Sequence, residues 1–97
     1  MECTARLFFS RKNVIIDGFV RGGEIYAEEY VYIDEIDHRG GTQVKVAVSK
    51  TGTIKINKAS ENTTIQVGGQ VQTLFKRARN IEARLDEIGR IMITREE

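Results

Sequence analysis

Apolar and polar residues alternate along most of the chain with the two-residue period of half-buried strands. In 43–48, for example, Val44, Val46 and Val48 are separated by Lys45 and Ala47. Turns rich in glycine, with no proline anywhere in the chain, separate these segments. The pattern therefore predicts an all-β protein. The same alternation is found in segments 24–27, 30–33, 54–57 and 64–67.

The spacing of the aliphatic positions indicates how the strands are arranged. The segments 14–16 and 31–33 are both β-branched or aromatic and begin 17 residues apart. This rhythm is typical of a single-stranded right-handed β-helix, in which each coil has three short strands and inward residues stack on the next coil. An antiparallel meander is the alternative. About two coils fit the chain, so we expect other segments or a second copy to cap the ends.

The segment from Leu74 to Met92 fits two descriptions. Its apolar residues recur at alternating intervals of four and three, which is the heptad pattern of an amphipathic helix. Ile81, Ala83 and Leu85 also alternate as a strand would, and Gly89 could turn the chain into a second strand at 90–93. Periodicity alone favours the helix.

Several segments carry a family resemblance. Residues 18–27 read GFVRGGEIYA and are followed by Val31, Ile33 and a Gly-Thr turn at 41–42. This order resembles the central region of the bacterial flagellar assembly protein A-like family. Segments 52–68 and 80–91 resemble the carboxy-terminal piece of that family, so the resemblance covers about nine-tenths of the chain. The run 18–27 is also similar to coils of bactofilin filaments, which are assembly modules.

The resemblance implies a fold and a role. The fold would be a short right-handed β-helix-like stack over residues 1–48, extended by antiparallel strands over 49–97 that pack on the same core as one structural unit. On this basis 74–93 is read as strands. The role would be positioning or assembly of flagellar and other polar machinery. The amino-terminal domain and coiled-coil hairpin of the family are absent here, so no function residing in them is carried over.

Charge and cysteine content restrict the partners and the compartment. With 15 basic and 14 acidic residues the net charge is +1, which provides no bulk attraction for nucleic acids or anionic membranes. The single cysteine, Cys3, cannot form an internal disulfide and fits a reducing compartment. No apolar run approaches the length of a membrane span, and residues 1–10 do not resemble a signal peptide. We therefore expect a cytoplasmic protein without membrane insertion.

One cluster contains potential metal ligands: Asp34, Glu35, Asp37 and His38. These residues are nearly contiguous on a strand and turn, so neighbouring side chains point to opposite faces rather than converging. We read them as a solvated turn and predict no metal and no cofactor. His38 is the only histidine and has no recognisable nucleophile beside it, so we predict that the protein is not an enzyme.

The tripeptide Arg-Gly-Gly occurs twice, at 21–23 and 39–41. In disordered tails such units bind RNA. Here they lie between predicted strands, where paired glycines allow positive φ or close backbone approach. We therefore interpret both as turns.

Basic residues are concentrated in 76–84. If this segment is a strand, Arg77 and Arg79 share a face with Phe75 and Ile81 and could hold phosphates or an acidic protein surface. Three nearby acidic residues weaken this field. Binding of nucleic acid or another polyanion through this stretch is the alternative function, although we do not expect a nucleic-acid partner.

The aromatic residues provide the preferred functional hypothesis. If Val31 and Ile33 point inward, Tyr30 and Tyr32 form an outward stripe, and such stripes are enriched at protein interfaces. We predict a non-enzymatic scaffold or protein-interaction module in bacterial assembly or localisation, which binds protein partners and forms a homo-oligomer. The expected interaction residues are Phe19, Tyr26, Tyr30, Tyr32, Arg77 and Arg79.

Overall fold

The computed structural model describes residues 2–3, 7–10, 12–20, 22–36 and 43–96, with side chains from residue 12 onward. All regular structure in these ranges is β-strand, which confirms the all-β prediction. No helix capable of crossing a membrane occurs in these ranges. The strands are β1 (Glu2–Cys3), β2 (Leu7–Ser10), β3 (Asn13–Val20), β4 (Gly23–Ala27), β5 (Tyr30–Ile36), β6 (Val44–Val48), β7 (Thr53–Ala59), β8 (Thr64–Val67), β9 (Gln70–Thr73), β10 (Ala78–Leu85) and β11 (Ile91–Glu96).

Consecutive strands alternate between two sheets. Sheet A has the order β1-β3-β5-β7-β10-β11, and sheet B has the order β2-β4-β6-β8-β9. From β1 to β8 all pairing is parallel, so each odd strand and the even strand that follows it form one rung of a stack. The last three strands add to the stack in antiparallel orientation. Both sheets remain open at their edges.

The 17-residue spacing corresponds to the register between rungs. Val14 pairs with Val31 and Ile16 pairs with Ile33, as the repeat predicts. The same inward rows continue across sheet A because β-branched residues pack well in the next strand. Three aliphatic rows result: Val14, Val31, Ile54 and Ala83; Ile16, Ile33, Ile56 and Ile81; Val20, Ile36, Ala59 and Ala78.

Both sheets contribute to one hydrophobic core. Sheet B supplies Ile25, Val46 and Ile65 in one inward row, and each is at most 1% exposed. Each fully buried side chain of this size stabilises the fold by about 1.5–3 kcal/mol relative to exposure. The core is continuous from Val14 to Ala83, so the antiparallel strands pack on the same core as the rungs.

The stack is longer than the sequence suggested. Four rungs, β1/β2 to β7/β8, pair in parallel where about two coils were expected. Antiparallel pairing begins at Gln70, so the boundary placed between residues 48 and 49 lies inside the parallel stack. Each rung has one strand in each sheet rather than three short strands. In β3 a register shift between Ile16 and Phe19 interrupts the longer strand.

The segment 74–93 contains two strands and no helix, so the strand prediction is confirmed and the helical alternative is wrong. Asn80, with φ of 50°, lies at an irregularity in the pairing of β10 with β11. Ile81 lies in the core while Arg79 remains exposed, so the prediction that these two residues share a face is wrong. Ala78 and Ile81 are buried three residues apart, and they continue the rows of Ala59 and Ile56 in β7, which are buried at the same interval.

The turns between rungs stack on one another at one corner of the molecule. The carbonyl of Glu28 accepts a hydrogen bond from Ser49 Oγ, and the Thr53 amide donates to the Glu29 carbonyl at 3.0 Å. Gly52 lies against this turn, and a Cβ there would be 2.6 Å from Val48 Cβ. The corner therefore requires glycine for close approach.

Of the two Arg-Gly-Gly units, only the first has described glycines. Gly23 has φ of 98°, in the left-handed region that favours glycine, and it begins β4. This conformation agrees with the turn interpretation of 21–23. Arg21 and the whole of 39–41 lie outside the described residues.

Candidate functional site

The outer face of sheet A carries an apolar and aromatic surface on two neighbouring strands. Ile15 of β3 lies directly opposite Tyr32 of β5, and Tyr30 lies two residues earlier on the same face of β5. Ile15 is 62% exposed, and both tyrosine side chains are half-buried. We refer to Ile15, Tyr30 and Tyr32 as the tyrosine patch.

Strand alternation fixes the direction of the patch. Val31 and Ile33 are fully buried, so the intervening Tyr32 and the preceding Tyr30 point away from the core. Ile15 lies between Val14 and Ile16, which are both buried. A one-residue slip would expose the aliphatic row, so the core holds the patch in its outward orientation.

Polar residues surround the patch. Tyr30 has Asn13 on one side and Thr53 on the other, and Tyr32 is followed in its row by Lys55. Lys55 in turn faces Glu82 of β10. An apolar centre with a polar, mixed-charge margin is the arrangement found in protein–protein interfaces.

The two other predicted aromatic residues lie elsewhere. Phe19 is on the same outer face of sheet A, but it pairs with Glu35 beyond the register shift of β3 and is half-buried. Tyr26 belongs to β4 and pairs with Ala47 in sheet B. The structure thus places Tyr26 on a different sheet from Tyr30 and Tyr32. The aromatic stripe therefore does not include all four of the aromatic residues predicted for it.

The two predicted arginines are exposed and separate from the patch. Arg77 precedes β10, and Arg79 lies on β10, two strands from Tyr32. Arg79 is in a row between Lys58 of β7 and Glu96 of β11, so the row contains both signs of charge. This row does not form a uniformly basic surface.

The proposed ligand cluster is only partly described. Asp34 Oδ1 accepts a hydrogen bond from Asn57 Nδ2 at 3.1 Å, and Glu35 pairs with Lys58 across the strands. Asp37 and His38 lie outside the described residues. Among the residues that are described, no group of three or more histidine, cysteine or acidic side chains could hold a metal ion.

The turn between β10 and β11 contains an organised carboxylate. Asp86 Oδ1 accepts hydrogen bonds from the amides of Arg90 at 2.8 Å and Ile88 at 3.0 Å, and Oδ2 is 3.5 Å from Arg90 Nε. The pKa of Asp86 is lowered, mainly by the hydrogen bond from the Arg90 amide. Desolvation raises this pKa in part, while the hydrogen bond from the Ile88 amide and the positive charge of Arg90 lower it further. Beside this turn is a shallow open depression that includes Ile88 and Met92.

Sequence reasoning did not assign Ile15 to the aromatic surface and did not predict how far Phe75 is exposed. Ile15 could have been found, because the inward positions of Val14 and Ile16 require it to point outward. Phe75 is 84% exposed in the connection between β9 and β10. Phe75 is exposed because the chain turns at this corner and buries the preceding Leu74. The alternation of apolar and polar residues along strands does not predict this turn.

Comparison of the chain with protein-family models, with curated proteins and with solved structures gave no match. The kind of partner that the tyrosine patch binds is therefore inferred from the side chains of the patch.

Proposed function

We propose that this protein is a non-enzymatic scaffold module that binds another protein through the tyrosine patch and also associates with itself. The observation that carries the proposal is the outward pair Ile15–Tyr32 with Tyr30 beside it, on a face whose opposite side is a tightly packed core. Tyrosine provides a large apolar ring and a hydroxyl that can hydrogen-bond a partner, so it is enriched at interfaces.

The rigidity of the surface favours binding. The two tyrosines lie on β5, which pairs on both sides, with β3 and β7, and Ile15 of β3 is held opposite Tyr32 by the pairing with β5. Side chains held on such a sheet lose less conformational entropy on binding than side chains on a loop. The area available is modest, so we expect a partner that also contacts the polar margin at Asn13, Thr53 or Lys55.

We also propose that the stack is a right-handed β-helix-like fold of the flagellar assembly protein A-like type, acting in bacterial assembly or localisation in the cytoplasm. The parallel rungs and the 17-residue register between β3 and β5 support this proposal. The terminal antiparallel strands agree with the carboxy-terminal extension that the resemblance implies.

The experiment is a comparison of proteins captured by immobilised variants and measured by quantitative mass spectrometry. Tyr30→Ser/Tyr32→Ser should lose partners that the unmodified protein retains. Val71→Ser is the control, because it removes an exposed apolar side chain outside the patch. Circular dichroism must show that both variants are folded. If the tyrosine variant and the control recover the same partners in the same amounts, the patch is not the contact surface.

A second candidate function is binding of a polyanion. Phe75, Lys76 and Arg77 are consecutive and all exposed, so an aromatic ring is available for stacking beside two cations. The test is binding of labelled single-stranded oligonucleotides at low salt. Salt-dependent binding that is lost in Phe75→Ser and kept in Tyr30→Ser/Tyr32→Ser would support this function over the first.

A further inference from the structure

Strand β11 forms one edge of sheet A. It pairs with β10 on one side, and no described strand pairs with its other side. Six residues long, β11 has partly buried Ile91 and Ile93 against the core and exposed Met92 and Thr94 on the outer face. An edge of this length with apolar residues can template pairing with another strand.

The hydrogen-bond phase of the hairpin shows which groups face the free edge. The Asp86 amide donates to the Arg90 carbonyl at 2.8 Å, so these two residues form a hydrogen-bonded pair of the antiparallel ladder. Such pairs alternate along the ladder, so Met92 and Thr94 direct their backbone groups toward β10. Ile91 and Ile93 consequently direct their N–H and C=O groups toward the free edge.

We propose that a second copy of this chain pairs with β11 in antiparallel orientation, with Ile93 opposite Ile93 of the second copy. In this register Met92 faces Thr94, and Arg90 faces Glu96 at both ends of the pair. The opposite charges match. Arg90 Nε lies 3.5 Å from Asp86 Oδ2 in its own turn, but the side chain is 74% exposed, so its remaining guanidinium nitrogens can reach across. Glu96 accepts a hydrogen bond from Asn80 through Oε2, so Oε1 is the oxygen that would accept Arg90.

The register centred one residue later, on Thr94, is less favourable. The register centred on Ile93 sets one charged residue, Arg95, opposite an apolar one, Ile91. Centring on Thr94 sets two charged residues opposite apolar ones, Arg95 opposite Ile93 and Glu96 opposite Met92, and it separates Arg90 from Glu96. The register centred on Ile93 buries the isoleucine against its own copy. A pair of six-residue strands is at the small end of interfaces, so we expect weak dimers with Kd on the order of 10–100 µM.

The dimer would place two tyrosine patches in one assembly, and the meaning of this arrangement rests on the proposed function of the patch. The two-fold axis of antiparallel pairing is perpendicular to the sheet, so both outer faces point the same way. The two tyrosine patches would then lie on the same side of one continuous sheet. Seven strand spacings of about 4.8 Å separate the two β5 strands, roughly 34 Å along the sheet. A scaffold with two sites at this separation could bind a repeated partner by avidity.

The first test is disulfide formation in a Cys3→Ser background. At positions that are opposite and not hydrogen-bonded, engineered cysteines come close enough to bridge. Met92→Cys/Thr94→Cys should form covalent dimers on mild oxidation, because each cysteine faces its counterpart in the second copy. Thr94→Cys alone is the control, since its own copy is a diagonal neighbour in this register. Equal dimer yields from both variants would overturn the register.

The second test is sedimentation of the protein without any binding partner, so its result is independent of the tyrosine patch. The unmodified protein should form dimers as the concentration rises through roughly 5–500 µM. Arg90→Glu and Glu96→Arg should each raise Kd about three- to tenfold, and the double variant should restore it. A monomer throughout this range overturns the edge pairing, and dimers unaffected by either charge reversal do so too.

Discussion

Replacement of Gly52 by alanine should severely destabilise the stack. An ideal Cβ at this position would lie 2.6 Å from Val48 Cβ, 3.0 Å from Val48 Cγ2 and 2.9 Å from the Glu28 carbonyl oxygen. Val48 is 2% exposed in the core, and the Glu28 carbonyl is held by Ser49 Oγ. Neither neighbour is the flexible end of a side chain, so the backbone of the corner must move.

The expected cost follows from the overpacking of a rigid core. Inserting a methyl group against buried atoms costs about 1–3 kcal/mol, and this contact is at the severe end because one neighbour is backbone. We expect a loss of about 3 kcal/mol in the free energy of unfolding. For a domain of this size that loss corresponds to a decrease in Tm of roughly 12–24 °C. Chemical denaturation followed by circular dichroism measures the free energy directly.

Gly69→Ala is the matched control. Gly69 is exposed, and a Cβ there would have no heavy atom within 4 Å. The control should change stability by no more than about 0.5 kcal/mol, and it could increase stability slightly by restricting the unfolded chain. Equal stability of Gly52→Ala and Gly69→Ala would refute the close packing of the corner.

Three further outcomes follow from the structure. Ile33→Ala, in the middle of an inward row, should lose about 2–5 kcal/mol by denaturation, whereas Ile15→Ala should change stability by less than about 0.5 kcal/mol; similar losses would contradict the assigned strand faces. In the folded protein the pKa of Asp86 lies below its ordinary value of 3.8. Its carboxylate therefore stabilises the β10–β11 turn above pH 3.8, and this contribution is lost as the pH falls through the lower pKa of the folded state. The protection of the turn amides, which is the intrinsic exchange rate divided by the observed rate, should therefore fall on acidification, and Asp86→Asn should remove this pH dependence. A carboxyl titration at or above 3.8 by NMR would contradict it. The far-UV circular dichroism spectrum should show a single strand-type minimum, because none of the described residues is helical, and a double minimum typical of helix would count against the fold.

The repeat of apolar positions predicted the parallel register well. The 17-residue offset between Val14 and Val31 survives because no residue is inserted between those two rungs. The next offset, from Val31 to Ile54, is 23 residues, because the connections from β5 to β6 and from β6 to β7 are both longer than those of the preceding rung. The two later rungs were therefore not recognised as part of the same stack.

The heptad pattern from Leu74 to Met92 was misleading for an identifiable reason. Ala78 and Ile81 are both buried three residues apart, which is a helical interval, and the paired residues Ala59 and Ile56 of β7 are buried at the same interval. Leu74 is buried at a corner, while Ile88 is 75% exposed in a turn. The apolar residues of the heptad pattern therefore lie in different environments, some buried and some exposed, and only tertiary packing distinguishes them.

The site was predicted in part. Tyr30 and Tyr32 point outward as alternation required, since Val31 and Ile33 are buried. Tyr26 and Arg79 could not be placed relative to them, because the assignment of strands to sheets depends on turns whose geometry the sequence does not specify.

The most direct test of the proposed binding surface is site-specific photocrosslinking in the cells that produce the protein. A photoreactive phenylalanine analogue replaces Ile15 in the patch, and in a separate variant it replaces Val71, which is 57% exposed on sheet B. We expect a discrete crosslinked protein from position 15 and none from position 71. The same crosslinked products from both positions, or none from position 15 in a folded variant, would contradict it.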